Sequence, residues 1–409
     1  MSCPNHARRI AALSAAALTI LGAACVDGGP GLDSDELPLW TLERELRIGS
    51  VDDPDYAFTY VDALEVGRDG IIYSLHGRDA VVRRWTPDGR PADMLGRRGE
   101  GPGEFTSPRA LGWHGDSLWV MDGGDYRISF FQADGSFLGS LVPRVDLGPR
   151  ELAEEGIRLP RPRALLADGS VYAATPAFSH DIVEGRLTRL AHVRASVEGA
   201  MLDTLAVLPV GPESVLGVLR EGGDIFALQP FTDAVEGVLL NDGSGLLVLE
   251  RGAAQEGGLA EFRLTRLGLS GDTAFSRAYR YEAVPLPRER VDSVIDAQAE
   301  SLHRFVGERT GTTLPQWQGW VADAMYAPPY YSPVSEILSG RDGTIWLGLN
   351  PPGPDGREWL VLGPAGDLVG RVLMPTGPRV LLADERNVWG VETDELDVQY
   401  IVRYAVVKP

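Results

Sequence analysis

Lysine is almost absent from this chain: Lys408, one residue from the end, is its only lysine, and arginine supplies every other cation. That position excludes lysine Schiff-base chemistry and a P-loop lysine, neither of which can be built on a penultimate residue. Cysteine is nearly as scarce, with only Cys3 and Cys25. If the N-terminal segment is removed, a single thiol remains, so neither an internal disulfide nor a catalytic cysteine within the body of the chain is available. Histidines are few and scattered: beyond His6 they are His76, His114, His180, His192 and His303. No His-x-x-x-His pair, zinc spacing or EF-hand loop appears among them. GLSGD at 268–272 is not a GxSxG nucleophile elbow. Cations are also in deficit, and the formal charge is −20. A surface of that sign repels nucleic acid and anionic headgroups, so neither is an expected partner.

Long apolar runs are missing too, save one. Arg8 and Arg9 precede a run from Ile10 to Ala24, which is too short to span a bilayer and has the form of a signal peptide, residues 1–24. The junction Gly22-Ala23-Ala24-Cys25 resembles a bacterial lipobox, with Leu21 one position further from the cysteine than usual. The resemblance implies lipidation of Cys25 and an outer-membrane or cell-envelope anchor. Ordinary cleavage after Ala24, giving a periplasmic or extracellular protein, is the alternative. Loss of the segment would move the formal charge to −22, because it carries two arginines and no acid. Residues 25–39 are rich in Gly, Asp and Pro and read as a flexible tether.

What the chain has in abundance is turn formers, 49 glycines and 29 prolines without a collagen period. Many short elements, hence an all-β fold, are expected from that. A hydrophobic pair, aromatic in five of six copies, recurs as Ile72-Tyr73, Leu118-Trp119, Val171-Tyr172, Leu246-Leu247, Ile345-Trp346 and Val388-Trp389. Each comes after a short apolar stretch and a turn signal such as Asp69-Gly70, Asp168-Gly169 or Asp342-Gly343. Turns of this kind tolerate positive φ and reverse the chain between strands. In the second copy, PRALGW, SLWVMD, DYRISFFQ and SFLGSL form four strands joined by tight turns. Six such antiparallel units are expected over residues 40–409. The last unit has only three strands, and Trp40–Ile48 is placed to supply the fourth and close the ring.

The stretch GEGPGEFTSPRALGWHGDSLWVMDGGDYRISFFQADGSFLGSL, residues 99–141, is similar to the NHL repeat, and the whole chain resembles bacterial six-bladed β-propeller proteins of that kind. GPGEF-x-x-P, Asp122 and Arg127 carry the resemblance. Copies three and four depart from it in spacing. GRRGEGPGEF, residues 96–105, is not a phosphate loop: no Gly-Lys-Ser/Thr ends it, Glu100 and Glu104 oppose an anion, and a strand comes next instead of a helix. It reads as the joint that delivers Pro108 and Arg109 to the next unit. The resemblance implies an architecture far more than an activity.

In propellers generally, ligands bind on the face that carries these joints. Pro108-Arg109, Pro162-Arg163 and Pro378-Arg379 begin three inner strands there. Three guanidiniums at a channel mouth suit a carboxylate, sulfate or uronic-acid ligand; alternatively each pairs with an acid such as Asp122 or Asp394 and ties units together. A helical insertion is expected at 286–328, between units four and five. Its first helix puts Val291, Val294, Ile295, Leu302 and Phe305 on one face and stops at Gly307, and a second helix begins after Pro315. The insertion is read either as a lid whose Trp317, Trp320, Tyr326, Tyr330 and Tyr331 line a groove, or as a cap with buried aromatics. Two functions are compatible with these features. The first is a monomeric, anchored module that binds a peptide, protein or glycan and needs no cofactor. The second is a metal-dependent hydrolase or lyase in which His76 and His180, with Asp79 or Asp125, hold calcium or zinc.

Overall fold

The computed structural model describes residues 36–144, 160–177, 179–220, 223–252 and 259–409. The signal, Cys25 and the tether up to residue 35 therefore lie outside the described residues.

Where the sequence alternates apolar residues between glycine turns, strands pair antiparallel in sequence order. Four sheets have four strands each: sheet A over 63–95, sheet B over 108–141, sheet C over 161–209 and sheet D over 236–282. Sheet E has eight strands in two halves, 334–374 and 379–407, and the strand Leu39–Ile48 lies between them. That strand pairs antiparallel with Gln399–Val407 from Thr41↔Val407 to Ile48↔Ile401, and parallel with Leu368–Met374 at Leu39↔Arg371 and Trp40↔Val372. The expected closure by an N-terminal strand is present, and it also welds the last two units into one sheet. Every one of the six recurring pairs falls on the second strand of its unit.

The arrangement is propeller-like. First strands of sheets A, B and C lie against one another, as do those of D and E, and across E back to A. Successive sheets share apolar seams. Tyr73, Leu75, Phe105 and Leu118 join A to B; Trp119, Leu165, Leu205 and Leu246 join B, C and D. Leu247, Phe262, Ile345 and Leu360 join D to E. Trp389, Leu382, Leu64 and Trp85 close the circuit to A. Burial of such seams holds the sheets at about 25 cal/mol per Å² of apolar area.

Among the described residues, the helices and one extra ribbon come between the second strand of sheet C and the start of sheet E. A short helix α1, Ser179–Val183, interrupts sheet C, and a two-stranded ribbon, Val215–Val218 with Ile225–Leu228, separates C from D. Neither is apparent from the sequence pattern. Between D and E come α2, Arg288–Leu302, and α3, Leu314–Ala324. The expected helix does not stop at Gly307. It passes through a π turn at His303–Gly307, a single turn at Glu308–Thr310, and ends at Gly311 with φ 69°. A π turn adds one residue per turn and so rotates the side chains C-terminal to it. Phe305, placed on the apolar face by a 3.6 period, is consequently 70% exposed, while Val306 packs inward.

Candidate functional site

The joint between sheets A and B is built from its own acids and glycines. Phe105 is buried in the A–B seam, and the backbone at Arg97 and Gly99 bonds to it on both sides. Gly96, at φ 73°, leaves no room for a Cβ against the Phe105 ring. Glu104 accepts from Gly101 N at 2.9 Å and Arg97 Nε at 2.7 Å. Arg127 donates to the Glu100 and Glu104 carbonyls at 2.9 and 2.8 Å, clamping the loop.

Asp122 holds the other end. It accepts from Thr106 N and Oγ1, Ser107 N and Gly124 N at 2.5–3.1 Å. Burial works to raise its pKa, but these four bonds outweigh that and hold it below the usual carboxylate value. Asp394 is likewise occupied, by Leu396 N, Val398 N and Tyr400 Oη. Neither acid pairs with one of the three arginines, so they do not tie the units together in that way.

Between sheets A and B the joint opens a cleft of about 560 Å³, lined by Asp62, Gly77, Arg78, Arg98, Thr106, Ser107, Pro108 and Arg109. Arg78, Arg98 and Arg109 are exposed, and none has a carboxylate within ion-pair distance among the described residues. Asp62, the only acid of the lining, accepts the Gly77 N–H at 2.7 Å. Gly123 lacks the Cβ that would collide with the Arg109 side chain, so Arg109 lies across it. Arg98 donates to the Arg78 and Thr106 carbonyls, and the Arg78 guanidinium stands over the Tyr60 ring, 5.4 Å from its centre. Arg379 approaches the same ring to 5.1 Å and donates to the Val61 carbonyl, joining sheet E to sheet A. Of the three arginines expected at the mouth, only Arg109 lines the cleft. Arg163 is exposed and its charge acts on Tyr172 in sheet C. Arg78 and Arg98 were missed; their signal was position, directly after a strand end and inside the joint.

The candidate metal residues do not meet. His76 is the last residue of the strand Ile72–His76, fully buried, not a surface loop residue. Its Nδ1 donates to the Tyr60 carbonyl at 3.0 Å, which leaves Nε2 to accept from Ser74 Oγ at 2.9 Å, and Phe58 stacks on the ring. Burial lowers its pKa to about 4. His180 sits in α1 between Glu184 at 3.4 Å and Asp224 at 3.3 Å. Asp125 faces Arg127 at 3.7 Å, and Asp79 bonds through its own N–H to the His76 carbonyl. Among the described residues, no three His, Cys, Asp or Glu side chains form a metal-holding group.

The aromatic groove is also replaced. Trp317 is fully buried, with Nε1 donating to Thr312 Oγ1 at 2.8 Å, and it packs with Leu216 and Val218 of the ribbon and Ala299 and Val321 of the helices. Trp320 packs edge-on against it at 5.3 Å. Tyr326 donates to Asp233 at 3.0 Å, Tyr331 meets Phe231, and Tyr330 bridges to Pro285. The insertion is a cap with an aromatic core. Gln229 ties it to the ribbon, donating to the Val215 and Ala324 carbonyls and accepting from Tyr326 N.

Strand direction places α1, the ribbon and both helices on the same face as the joint, because all connect strand ends of equal polarity. The opposite end of the bore holds a group that the sequence pattern did not single out. Glu65, 5% exposed, accepts from Asn241 Nδ2 at 3.3 Å, and Arg341 donates to the Val66 carbonyl at 2.6 Å. Burial raises the Glu65 pKa to about 7 against the opposing pull of Arg341 and Asn241.

No protein-family model matches the chain, and no curated protein matches it. Among solved structures, it is similar to a putative exported protein from Bacteroides fragilis, at 9% identity and TM-score 0.46 over 89% of this chain and 95% of that one. A member of the DUF4221 family from Bacteroides vulgatus gives 10% identity and TM-score 0.46, covering 90% and 98%. Virginiamycin B lyase from Staphylococcus aureus gives 12% and 0.40, covering 90% and 100%. At such identities and scores these likenesses say nothing of ligand or chemistry, and the fold stands on the strand pairing itself.

Proposed function

We propose that this chain is an exported six-bladed propeller, anchored through Cys25, that binds a hydrophilic anionic ligand in the cleft between its first two blades. Sheets A to D are four blades. The halves of sheet E are the fifth and sixth, the sixth completed by Leu39–Ile48.

The observation that carries the reading is the charge of the cleft. On a chain of formal charge −20, three guanidiniums without ion-pair partners among the described residues line a cleft of about 560 Å³ that holds one acid, itself engaged. Unpaired guanidiniums offer planar, two-pronged donors that fit carboxylate or sulfate. The lining has no apolar side chain except Pro108, so nothing there rewards a greasy ligand. No specific observation favours the hydrolase or lyase alternative. The exported, anchored placement rests on the N-terminal sequence, and no described helix is long and apolar enough to cross a membrane.

The test is equilibrium binding of digalacturonate, a sulfated disaccharide and a neutral disaccharide, at low salt, to the wild type and Arg109→Gln. At least one anionic probe should bind, the neutral one should not, and Arg109→Gln should lose about tenfold in affinity, as expected for one charge-assisted bond. Equal binding by the variant would contradict the reading.

A further inference from the structure

The arginines of the cleft do not end at its rim. Arg98 donates to the Arg78 carbonyl, Arg78 stands over Tyr60, and Arg379 of the sixth blade approaches that same ring while donating to Val61. The result is an arc of cations: Arg109, Arg98 and Arg78 line one cleft, and Arg78 shares the Tyr60 ring with Arg379 of the sixth blade. Like charges gathered in this way repel, and no carboxylate among the described residues neutralises Arg78, Arg98, Arg109 or Arg379 by an ion pair. Some arginines elsewhere have acid partners, as Arg84 with Asp93, Arg194 with Asp168 and Asp203, and Arg251 with Glu236, while others such as Arg161 and Arg163 have none among the described residues. What sets the arc apart is that its guanidiniums share one cleft and one ring, Tyr60.

We propose that the ligand is a linear acidic oligosaccharide, a chain of uronate residues, that fills the A–B cleft and continues over Tyr60 to Arg379. The proposal rests on the cleft reading above and extends it. Three observations set the ligand and its direction. Beyond the rim, the ring that meets a cleft arginine, Tyr60, leads to Arg379 of the sixth blade, whereas Arg161, over Tyr126, and Arg163 stand on the side of the third blade, the direction that Arg163→Gln tests. The cleft lining is polar or glycine and proline throughout, without the side-chain pockets by which grooves select peptides. A ligand that carries a carboxylate on every unit can meet more than one of these guanidiniums, and each added contact raises affinity through effective concentration.

The experiment is a length series. Galacturonate oligomers of two to eight residues are titrated at low salt into the wild type, Arg379→Gln, Arg78→Gln and Arg163→Gln, each checked for an unchanged thermal midpoint. In the wild type, the six-residue oligomer should bind about tenfold or more tightly than the dimer. Arg379→Gln should leave dimer binding unchanged and remove most of that gain, and Arg163→Gln should alter neither. Arg78→Gln, whose guanidinium makes no hydrogen bond among the described residues, tests the same arc if loss of the Arg379–Val61 bond unfolds the chain; because Arg78 also lines the cleft, it should weaken the dimer and remove the gain with length as well. A gain that survives both substitutions, or that is lost in Arg163→Gln instead, overturns the path. An equal gain for hexaglutamate with the same dependence on Arg379 overturns the glycan assignment in favour of an acidic peptide. If neither the galacturonate dimer nor the sulfated disaccharide binds the wild type, the cleft reading itself is defeated, whereas dimer binding without a length gain, or sulfated-disaccharide binding without dimer binding, defeats only this extension.

Discussion

Asn241 Nδ2 donates to Glu65 Oε1 across 3.3 Å, joining the first strand of sheet A to the end of the first strand of sheet D, 176 residues later in the chain. The bond spans the ring. Beside it, Asn241 N donates to Ser339 Oγ at 3.0 Å, and Arg341 reaches both the Val66 carbonyl and, at 3.8 Å, Asp384. Four sectors are thus tied at the bore end remote from the arginine cleft.

Because burial raises the folded pKa of Glu65 to about 7 from 4.5, the folded state prefers the protonated carboxyl. Its contribution to stability is complete below about pH 4.5 and is lost as pH rises through 7. Glu65→Gln preserves an acceptor for Asn241 and removes the titration. The variant should exceed the wild type by on the order of 2–3 kcal/mol at pH 8 and by little at pH 5, measured by denaturant unfolding.

His76 and His192 act with the opposite sign. Burial lowers both pKa values to about 4 from 6.5, so the folded state prefers neutral rings. Their stabilisation is complete above about pH 6.5 and disappears as pH falls towards 4. Each should contribute a slope of up to about 1.4 kcal/mol per pH unit in that window. His192→Gln, which retains a partner for the Tyr172 hydroxyl at 2.7 Å, should halve the combined slope in unfolding titrations. The Glu65 window, about pH 4.5 to 7, overlaps theirs, and two histidines outweigh one glutamate there, so the combined contribution should peak near pH 6.5.

Trp40 locks the ring. It is 4% exposed, lies over Gly370, meets Trp346 edge-on at 6.5 Å, and has Lys408 Nζ 4.3 Å from the ring centre. Trp40→Ala should cost about 3–5 kcal/mol by the usual penalty for emptying a core aromatic site. It should also free the edges that Leu39–Ile48 covers, so light scattering should report association at temperatures where the wild type stays monodisperse.

Trp317→Ala tests the cap. The residue is sealed among ribbon and helices, so its loss should cost about 3–5 kcal/mol locally, seen as faster amide exchange in α2 and α3. Binding in the arginine cleft should be unchanged. Weakened binding would instead return the aromatics to the ligand site.

The repeated architecture was legible because each unit writes its own turn chemistry. Gly70, Gly169, Gly243 and Gly343 all adopt φ between 68° and 83°, as tight reversals before a second strand require. The joint was legible for the same reason, its glycines and Phe105 being local signals. Side-chain partners were not, because they depend on residues distant in the chain. Nothing near Trp317 announces Leu216, and nothing near Arg379 announces Tyr60. Phe305 was misplaced by assuming one helical period through a π turn. Glu65 carried a readable sign, an acid between Leu64 and Val66 on an inner strand, but its partner Asn241 could not be read from spacing.

The central claim is that Arg78, Arg98 and Arg109 form a site for carboxylate. A crystal structure of the protein soaked with digalacturonate at low ionic strength tests it most directly. The account predicts a ligand carboxylate within about 3.2 Å of the Arg109 guanidinium, with Arg78 or Arg98 as a second donor. A ligand seated elsewhere on the ring, with the cleft holding only water, would contradict it.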